Sequence, residues 1–259
     1  MKSACVTTNV LDLWAEPRYN SERKSQLLYG DVVTLGTSRH GFVRVTEKDG
    51  YTGWADERFF DHVLPRLVTS NDGWEWGRVA KPTIKISQAP HVLFYGSRLL
   101  VRSVGGRYMQ TRLANGEVVG ISLSAIELIS KARRITARRV IVDAKKFLGT
   151  PYLWGGITVH GLDCSGLTRS VFRQVGIDLP RDTKDQIKVG TKVDRADLLP
   201  GDLLFFDRHV AIALRGGRII HSSKGGGGVR IQSLVKGQPE YRADLDRDIK
   251  AARRHCASD

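Results

Sequence analysis

The chain has 259 residues, of which 41% are hydrophobic and 26% charged, which is enough for two or three globular domains. It has no run of about 18 apolar residues, which excludes a transmembrane helix. The three cysteines, Cys5, Cys164 and Cys256, are odd in number and far apart, which argues against a disulfide framework and a paired-cysteine zinc site. Residues 1–9 lack an apolar segment, so we expect a cytoplasmic protein, or a secreted one if a leader was removed.

The net charge of +14 is unevenly distributed along the chain. Residues 1–130 carry a net charge of +3, whereas residues 131–259 carry +11. Such a positive field attracts nucleic acid, an anionic cell-wall polymer or an acidic small substrate, although a solvated basic surface explains the charge equally well. The chain has no zinc-finger spacing, RNP-type aromatic motif or glycine-rich phosphate loop, so we expect no nucleic-acid partner.

The first half of the chain predicts short strands separated by turns. Apolar runs at residues 32–35, 42–45 and 99–101 alternate with Gly, Asp and Asn residues. A weak repeat relates Leu-Tyr-Gly-Asp at residues 28–31 to Phe-Tyr-Gly-Ser at residues 94–97. Two copies with several short strands each predict two small β-barrels.

The pattern changes near residue 131. The apolar residues between Val140 and Leu148 are spaced as in an amphipathic helix, which Gly149 and Pro151 would end. A second helix follows at Cys164. Strands are then predicted at residues 203–206, 209–214, 219–221 and 229–231. Helices followed by an antiparallel sheet predict an α+β layout for this part of the chain.

Cys164 stands in the stretch Gly-Leu-Asp-Cys-Ser-Gly, residues 161–166. The apolar residues from Leu167 to Val175 are spaced like the buried stripe of a helix, and Gly176 is a natural end for it. The cysteine therefore lies in the first turn of a helix. Unpaired N–H groups and the helix dipole favour negative charge there, which predicts a stabilised, nucleophilic thiolate, although an arbitrary cysteine is more often buried and structural.

Two histidines supply a possible base and its partner. His209 opens one predicted strand and His221 closes the next, after glycines at 216 and 217. A two-residue loop there would pair Ile212 with His221 and leave His209 on the opposite face. A three- or five-residue loop would place both histidines on one face, so a shared site requires the odd loop.

The order of these motifs resembles the NlpC/P60 family of papain-like cysteine peptidases. The resemblance rests on Asp-Cys-Ser-Gly-Leu at 163–167, Leu-Pro-Gly-Asp-Leu-Leu-Phe-Phe at 199–206, His-Val-Ala-Ile at 209–212 and Ile-His at 220–221. It covers nearly all of residues 135–235. It implies a papain-like catalytic domain, and hence an α+β fold.

The resemblance also implies roles for individual residues. Cys164 would be the nucleophile, His209 the general base and then acid, and His221 the residue that orients His209. Tyr152, in the Pro-Tyr-Leu-Trp-Gly-Gly stretch, matches a tyrosine that lies near the oxyanion in this family, although packing beside the site is an equal alternative. No metal or organic cofactor is expected.

Residues 1–130 resemble a tandem pair of bacterial SH3-like (SH3b) domains. The best match is Asp-Gly-Tyr-Thr-Gly-Trp at residues 49–54, and the second copy has no equivalent Trp. The expected domains are therefore two small SH3-like β-barrels, residues 1–63 and 64–130, followed by the peptidase domain, residues 131–259. This arrangement resembles the γ-D-glutamyl-L-diamino acid endopeptidases.

The second resemblance implies a set of substrate contacts. In such enzymes an acidic and a tyrosine side chain of the first SH3b domain hold the free amino group of L-Ala, and the matching positions are Glu16 and Tyr51. Further matching positions near the cysteine are Asp163, Ser165, Asp182 and Thr183. Arg181 is placed to meet a substrate carboxylate. Alternatively, Asp182 and Thr183 cap the helix that begins there.

The predicted function is cleavage of the γ-D-Glu–diamino acid bond in cell-wall muropeptides with a free N-terminal L-Ala, during peptidoglycan turnover. We expect a monomer whose partner is this peptide, with neither nucleic acid nor membrane as a partner. Three alternatives remain open: a wall-anchored autolysin acting on intact peptidoglycan, a non-catalytic wall-binding protein, and an acyltransferase on the same papain-like core.

Overall fold

The computed structural model describes residues 2–62, 73–86, 92–130 and 135–256. Contacts divide the chain into two compact units, Met1–Ala132 and Arg133–Asp259. The expected domain boundaries after residues 63 and 130 fall where the chain is outside the described residues, so these boundaries remain predictions. None of the helices in the described stretches has the length and apolarity needed to span a bilayer.

The first unit begins with a seven-stranded antiparallel sheet. Its strands are β1 (Lys2–Val6), β2 (Val10–Trp14), β3 (Arg23–Leu28), β4 (Val32–Arg39), β5 (Phe42–Thr46), β6 (Thr52–Asp56) and β7 (Phe60–Asp61). They are hydrogen-bonded in the order β3-β2-β6-β5-β4-β1-β7. Alternating residues such as Leu11, Leu13, Val43 and Val45 point into one apolar core, as the period of two in a half-buried strand requires.

The second half of this unit also has seven strands, but they are divided between two sheets. Its strands are β8 (Glu75–Val79), β9 (Thr83–Lys85), β10 (Val92–Phe94), β11 (Arg98–Ser103), β12 (Tyr108–Arg112), β13 (Val118–Ser122) and β14 (Ile126–Leu128). Five of them form a sheet in the order β13-β12-β11-β8-β14, and β9 pairs with β10. The sequence repeat thus corresponds to two β-rich halves, each with its own core.

The repeated tetrapeptide makes the same turn in both halves. The Leu28 N–H donates to Asp31 Oδ2 at 3.0 Å, and the Phe94 N–H donates to Ser97 Oγ at 3.2 Å. Tyr29, from the first copy, belongs to the apolar core of the second half, and its hydroxyl accepts from the Ala114 N–H at 2.8 Å. One buried aromatic ring therefore joins the two halves of this unit.

The second unit contains the predicted helices and strands. Its helices are α1 (Ala137–Lys145), α2 (Cys164–Gln174), α3 (Thr183–Gln186) and α4 (Ala243–Arg247). Its strands are β15 (Ile157–Thr158), β16 (Gly161–Leu162), β17 (Thr191–Val193), β18 (Leu203–Phe206), β19 (His209–Ala213), β20 (Arg218–Ser223), β21 (Gly228–Ser233) and β22 (Ala251–Arg254). Six strands form one antiparallel sheet in the order β17-β22-β18-β19-β20-β21, which confirms the α+β prediction.

Helix α2 packs against strands β19 and β20. Its apolar stripe, Leu167, Val171 and Phe172, is fully buried, as the spacing predicts. After the helix, Gly176 takes a φ of 92°, a left-handed conformation that favours glycine. The sheet therefore fixes the direction of α2 and the position of its first residue, Cys164.

A buried carboxylate holds the start of α2. Asp163 is the N-cap residue, and its Oδ1 accepts from the Gly166 N–H at 2.6 Å while its Oδ2 accepts from the Gly155 N–H at 2.9 Å. The Arg181 guanidinium binds both carboxylate oxygens, at 3.1 Å and 2.5 Å, and donates to Ser165 Oγ at 2.9 Å. The Arg181 side chain is only 1% exposed, so the pair is almost fully removed from water.

We predict that Arg181→Met lowers the free energy of unfolding by about 3–5 kcal/mol, because it leaves the Asp163 carboxylate buried without its counter-charge. Chemical denaturation of wild type and variant measures the difference. Arg195→Met is the matched control, because the Arg195 side chain is 59% exposed in its ion pair with Asp246. The control substitution should lower the free energy of unfolding by less than about 1 kcal/mol. An equal decrease in both variants would contradict a special role for the buried Arg181–Asp163 pair.

Candidate active site

Cys164 is the first residue of α2 and lies at the edge of the buried interior, with 8% of its surface exposed. Its Sγ lies 3.7 Å from Thr183 Oγ1, which brings the start of α3 to the sulfur. The backbone N–H groups of Val210 and Ser165 also face the thiol. Because Val210 directly follows His209, the start of β19 lies beside the cysteine.

The expected stabilised thiolate is not found. Burial raises the pKa of the Cys164 thiol above its ordinary value, and the negative charge of Asp163 acts in the same direction. Hydrogen bonds from Thr183 and from the two backbone N–H groups lower the pKa but do not outweigh burial. The prediction failed because the cost of desolvating a charged sulfur exceeds the favourable field of the helix N-terminus.

The β19–β20 hairpin has the odd loop that a shared site requires. Ile212 pairs with Ile220 and Ala213 with Ile219, and the Leu214 N–H donates to the Arg218 carbonyl at 2.7 Å. The turn is therefore the three-residue segment 215–217. Both of its glycines take left-handed φ values, 71° and 68°, which accommodate the extra residue. This register confirms that the two histidines share a face of the sheet.

The two imidazoles are hydrogen-bonded to each other. His209 Nε2 lies 2.7 Å from His221 Nδ1, and His221 Nε2 lies 2.8 Å from Gln232 Oε1. His221 is only 1% exposed. The contacts therefore run from His209 to His221 and on to Gln232. A base needs a second residue that orients it, and His221 is in the position to do so.

Burial keeps both imidazoles neutral. It is the main cause that lowers the pKa of His209 to about 3, and His221 and Arg242 act in the same direction. It also lowers the pKa of His221 to about 4, against the hydrogen bond with Gln232, which raises it. At neutral pH the thiol is therefore protonated and both imidazoles are neutral.

Tyr152 lies on the loop before β15, where its N–H donates to the Gly227 carbonyl at 3.1 Å. Its pKa is raised to about 12, first by burial and then by the nearby Cys164 and Asp163. The phenol is therefore protonated at neutral pH and can donate a hydrogen bond. Its role as an oxyanion donor stays a prediction.

The residues predicted to contact substrate near the cysteine fall into two groups. Asp163, Ser165 and Arg181 form the buried network that holds the start of α2, so the Arg181 guanidinium is already bound to a carboxylate of the protein. Asp182 and Thr183 are half-buried at the start of α3, where Asp182 occupies the N-cap position without a side-chain capping hydrogen bond. Thr183 contacts the sulfur directly.

Glu16 and Tyr51 both lie in the first β-rich half of the first unit. Glu16 forms an ion pair with Arg18 at 2.8 Å, in which both side chains are 59% exposed. The Tyr51 hydroxyl donates to the Lys24 carbonyl at 3.3 Å, and the Lys24 ammonium lies 4.8 Å from the Tyr51 ring centroid. Their predicted role in holding an amino group stays a prediction.

Sequence reasoning missed Gln232 and Arg242. Gln232 contacts His221, and Arg242, ten residues further along the chain, donates to the same Gln232 oxygen at 2.9 Å. In the sequence Gln232 is only one polar position of a strand in which apolar and polar residues alternate. Nothing in the sequence points to Arg242. Within residues 2–62, 73–86, 92–130 and 135–256, no cluster of three or more His, Cys, Asp or Glu residues could hold a metal ion.

Comparison with known proteins identifies two segments of the chain. Residues 149–247 match the NlpC/P60 family, and residues 13–58 match the bacterial dipeptidyl-peptidase Sh3 domain. The first match contains the cysteine and both histidines of the site. The second contains Glu16 and Tyr51.

Similar proteins and structures cover most of the chain. It is 30% identical to a gamma-D-glutamyl-L-lysine dipeptidyl-peptidase of Bacillus subtilis over 234 aligned positions, covering 82% of this chain and 76% of the relative. A crystal structure of an NlpC/P60 family protein from Bacillus cereus covers 99% of this chain and 100% of its own, with a TM-score of 0.84 at 24% identity, which shows the common fold.

A third relative matches both chains almost from end to end. It is the dipeptidyl-peptidase 6 of Lysinibacillus sphaericus, which is 38% identical over 268 aligned positions, covering 96% of this chain and 98% of the relative. Similarity of this extent is not confined to the cysteine and histidine motifs. The chain therefore belongs to the NlpC/P60 family of cysteine peptidases.

Proposed function

We propose that the protein hydrolyses the bond between γ-linked D-glutamate and the next diamino acid in muropeptides that carry a free N-terminal L-Ala. The observation that carries the proposal is the hydrogen-bonded His209–His221 pair, together with the N–H of Val210, the residue after His209, which faces the Cys164 thiol. The chain is also similar over 96% of its length to a dipeptidyl-peptidase 6. A second similar protein is named a gamma-D-glutamyl-L-lysine dipeptidyl-peptidase. Both names support cleavage that releases a dipeptide.

The proposed reaction has an acylation and a deacylation step. Cys164 Sγ attacks the γ-carbonyl carbon as its proton passes to His209, and a tetrahedral oxyanion forms. Collapse of this intermediate breaks the C–N bond, and His209 returns the proton to the leaving amine of the diamino acid. In the second step a water oxygen attacks the thioester carbonyl as its proton passes to His209. The C–S bond then breaks, His209 returns the proton to Cys164 Sγ, and L-Ala-γ-D-Glu is released as the acid.

The oxyanion would be held by the Cys164 backbone N–H and the Tyr152 hydroxyl. The first N–H groups of a helix have no intrahelical acceptor, so the Cys164 amide is suited to a developing negative charge. The raised pKa of Tyr152, about 12, keeps its hydroxyl protonated throughout the physiological range. Thr183, whose Oγ1 lies 3.7 Å from the sulfur, would bind the substrate next to the scissile bond.

Recognition of the free amine is assigned to Glu16 and Tyr51. A carboxylate facing an ammonium ion is the physical requirement for such a pocket, and a blocked amine would leave that carboxylate without its partner. Glu16 is available for this because its ion pair with Arg18 is exposed to water and is therefore weak.

We predict that the purified protein cleaves L-Ala-γ-D-Glu-diaminopimelate, L-Ala-γ-D-Glu-L-Lys or both, and that mass spectrometry detects the released dipeptide. Cys164→Ala should lower the rate by at least about 10³-fold, because the nucleophile is lost. Cys256→Ala, which removes another buried thiol that is not in a disulfide, is the matched control and should keep the wild-type rate. Cleavage that survives in Cys164→Ala would refute the assigned nucleophile.

We predict that acetylation of the N-terminal amine of the peptide removes most of the cleavage. Glu16→Gln should lower kcat/KM for the free-amine peptide about 10- to 100-fold, which corresponds to the free energy of a hydrogen bond to a charged group. Glu16→Gln should leave the low rate with the acetylated peptide unchanged. Glu57→Gln, an exposed acidic residue in the same part of the chain, serves as the control. Equal cleavage of both peptides by wild type would favour an autolysin and remove Glu16 and Tyr51 from the site.

We predict that kcat/KM stays level from about pH 7 down to about pH 5, because the base titrates near its lowered pKa rather than near that of an ordinary histidine. The pKa of His209 is lowered to about 3 and that of His221 to about 4, so the neutral, active form persists as the pH falls through 6.5. A pH–rate profile in buffers of constant ionic strength measures this. An acid limb centred near pH 6.5 would contradict the neutral resting pair.

A further inference from the structure

Gln232 is the innermost member of the hydrogen-bonded chain that begins at His209. It lies on β21, one strand beyond His221, and is 5% exposed. Its Oε1 contacts two donors, His221 Nε2 at 2.8 Å and Arg242 Nη1 at 2.9 Å. Its Nε2 donates to Glu240 Oε2 at 3.3 Å.

The segment after β21 brings Glu240 and Arg242 to this amide. The Ser233 N–H donates to the Glu240 carbonyl at 3.0 Å, and the Arg242 N–H donates to the Ser233 carbonyl at 2.8 Å. The Arg242 guanidinium is itself oriented by Asp244, to which its Nε donates at 2.8 Å. Backbone pairing therefore fixes both charged side chains on the two sides of Gln232.

These neighbours allow only one orientation of the Gln232 amide. A guanidinium only donates hydrogen bonds and a carboxylate only accepts them. If the amide were rotated by half a turn, its NH₂ group would point at the Arg242 donors and its oxygen at the Glu240 acceptor. Neither contact could then be a hydrogen bond. The Gln232 oxygen must therefore face Arg242, and the same oxygen then faces His221 Nε2.

This orientation determines which nitrogen of each imidazole carries its proton. His221 must be protonated at Nε2, since that atom faces an oxygen that only accepts. Its Nδ1 is then the acceptor for His209 Nε2–H, at 2.7 Å. His209 in turn keeps an unprotonated Nδ1, the lone pair that the thiol needs.

We propose that Gln232 and Arg242 are positioning residues that hold the two histidines in the one tautomeric form able to accept the Cys164 proton at His209 Nδ1. This inference rests on the proposed function, because it takes His209 as the base. The opposite form, with His221 protonated at Nδ1, would protonate His209 at Nδ1 and present a donor to the thiol. It would also set the lone pair of His221 Nε2 against the Gln232 oxygen.

The proton balance of the attack follows from this arrangement. The S–H bond breaks as the S–C bond forms, and the proton moves from Sγ to His209 Nδ1. The resulting imidazolium keeps its Nε2–H on His221 Nδ1, so no second proton moves. When the C–N bond breaks, the same proton passes from Nδ1 to the leaving amine.

Several charges act on the two imidazoles besides their mutual contact. Arg242 lowers the pKa of both histidines and Asp244 raises it. Arg230, directly opposite His221 in the β20–β21 pair, also lowers the pKa of His221. Arg230 has a charge effect like that of Arg242 but no hydrogen bond to Gln232 among the described contacts, which makes it the matched control.

The test is ¹⁵N NMR of the full chain labelled at histidine, which reports the protonated nitrogen of each ring without requiring activity. Spectra of His209→Gln and His221→Gln assign the two rings among the seven histidines. In wild type we expect protons on Nε2 of both. In Gln232→Met and Arg242→Met we expect a mixture of tautomers, whereas Gln232→Glu, which keeps the acceptor, should retain the wild-type form.

Kinetics on the cleaved peptide provide the second measurement. We expect kcat to fall about 10- to 100-fold in Gln232→Met and Arg242→Met while KM changes less than about twofold, because the base and not peptide binding is affected. Arg242→Lys, which keeps a donor, should recover part of the loss. Arg230→Met should keep kcat and the wild-type tautomer, although the acid limb of its pH profile moves upward.

Unchanged histidine tautomers in both Gln232→Met and Arg242→Met would overturn the inference, and so would an equal change in Arg230→Met. If wild type shows the expected tautomers and the variants lose them but no peptide is cleaved, the proposed substrate is wrong and the positioning role stands. Thermal unfolding of each variant identifies any that fail to fold. Arg242→Lys and Gln232→Glu then carry the test.

Discussion

The Asp163 carboxylate is the point at which the separate segments of the site meet. It caps the helix that begins with Cys164, accepts an N–H from the loop that carries Tyr152, and binds Arg181, which precedes Thr183 by two residues. A buried carboxylate is tolerated only when its charge and lone pairs are satisfied, and here backbone amides and a guanidinium satisfy them. One charge therefore ties together the start of the Cys164 helix, the loop that carries Tyr152 and the segment that leads to Thr183.

Glycines allow these segments to approach closely. A Cβ on Gly166 would lie 2.2 Å from the Gly156 carbonyl oxygen, and a Cβ on Gly156 would lie 2.4 Å from the Gly161 carbonyl oxygen. Since both contacts are with backbone atoms, no side-chain movement would relieve them. The loop after Tyr152 thus packs directly against the first turn of α2.

The electrostatics of the site follow from burial more than from any single charge. Desolvation raises the pKa of the thiol and lowers that of both imidazoles, so the resting site is uncharged. In the proposed reaction the proton then has to leave the sulfur during the attack, so His209 can accept it only in the tautomer that leaves Nδ1 unprotonated. Gln232 and Arg242 fit this requirement, because an uncharged imidazole accepts a proton at only one of its nitrogens.

The helices, the strands and the order of the cysteine and histidine motifs could be read from the sequence alone. Apolar periodicity located α1, α2 and the four predicted strands, and the motifs around Cys164, His209 and His221 indicated the peptidase. These features are local, because a helix or strand records its buried face in the spacing of its own residues. A turn repeated in two copies likewise indicated two β-rich halves.

Only the tertiary structure decided the remaining features, because each depends on residues that are distant in the chain. The sequence allowed a connection of two, three or five residues between β19 and β20. The register of the sheet shows that it has three. Arg181, expected to meet substrate, is bound to Asp163, and Tyr29 fills the core of the neighbouring half. The thiol pKa rises because burial, which is a property of the folded chain, outweighs the local effect of a helix N-terminus.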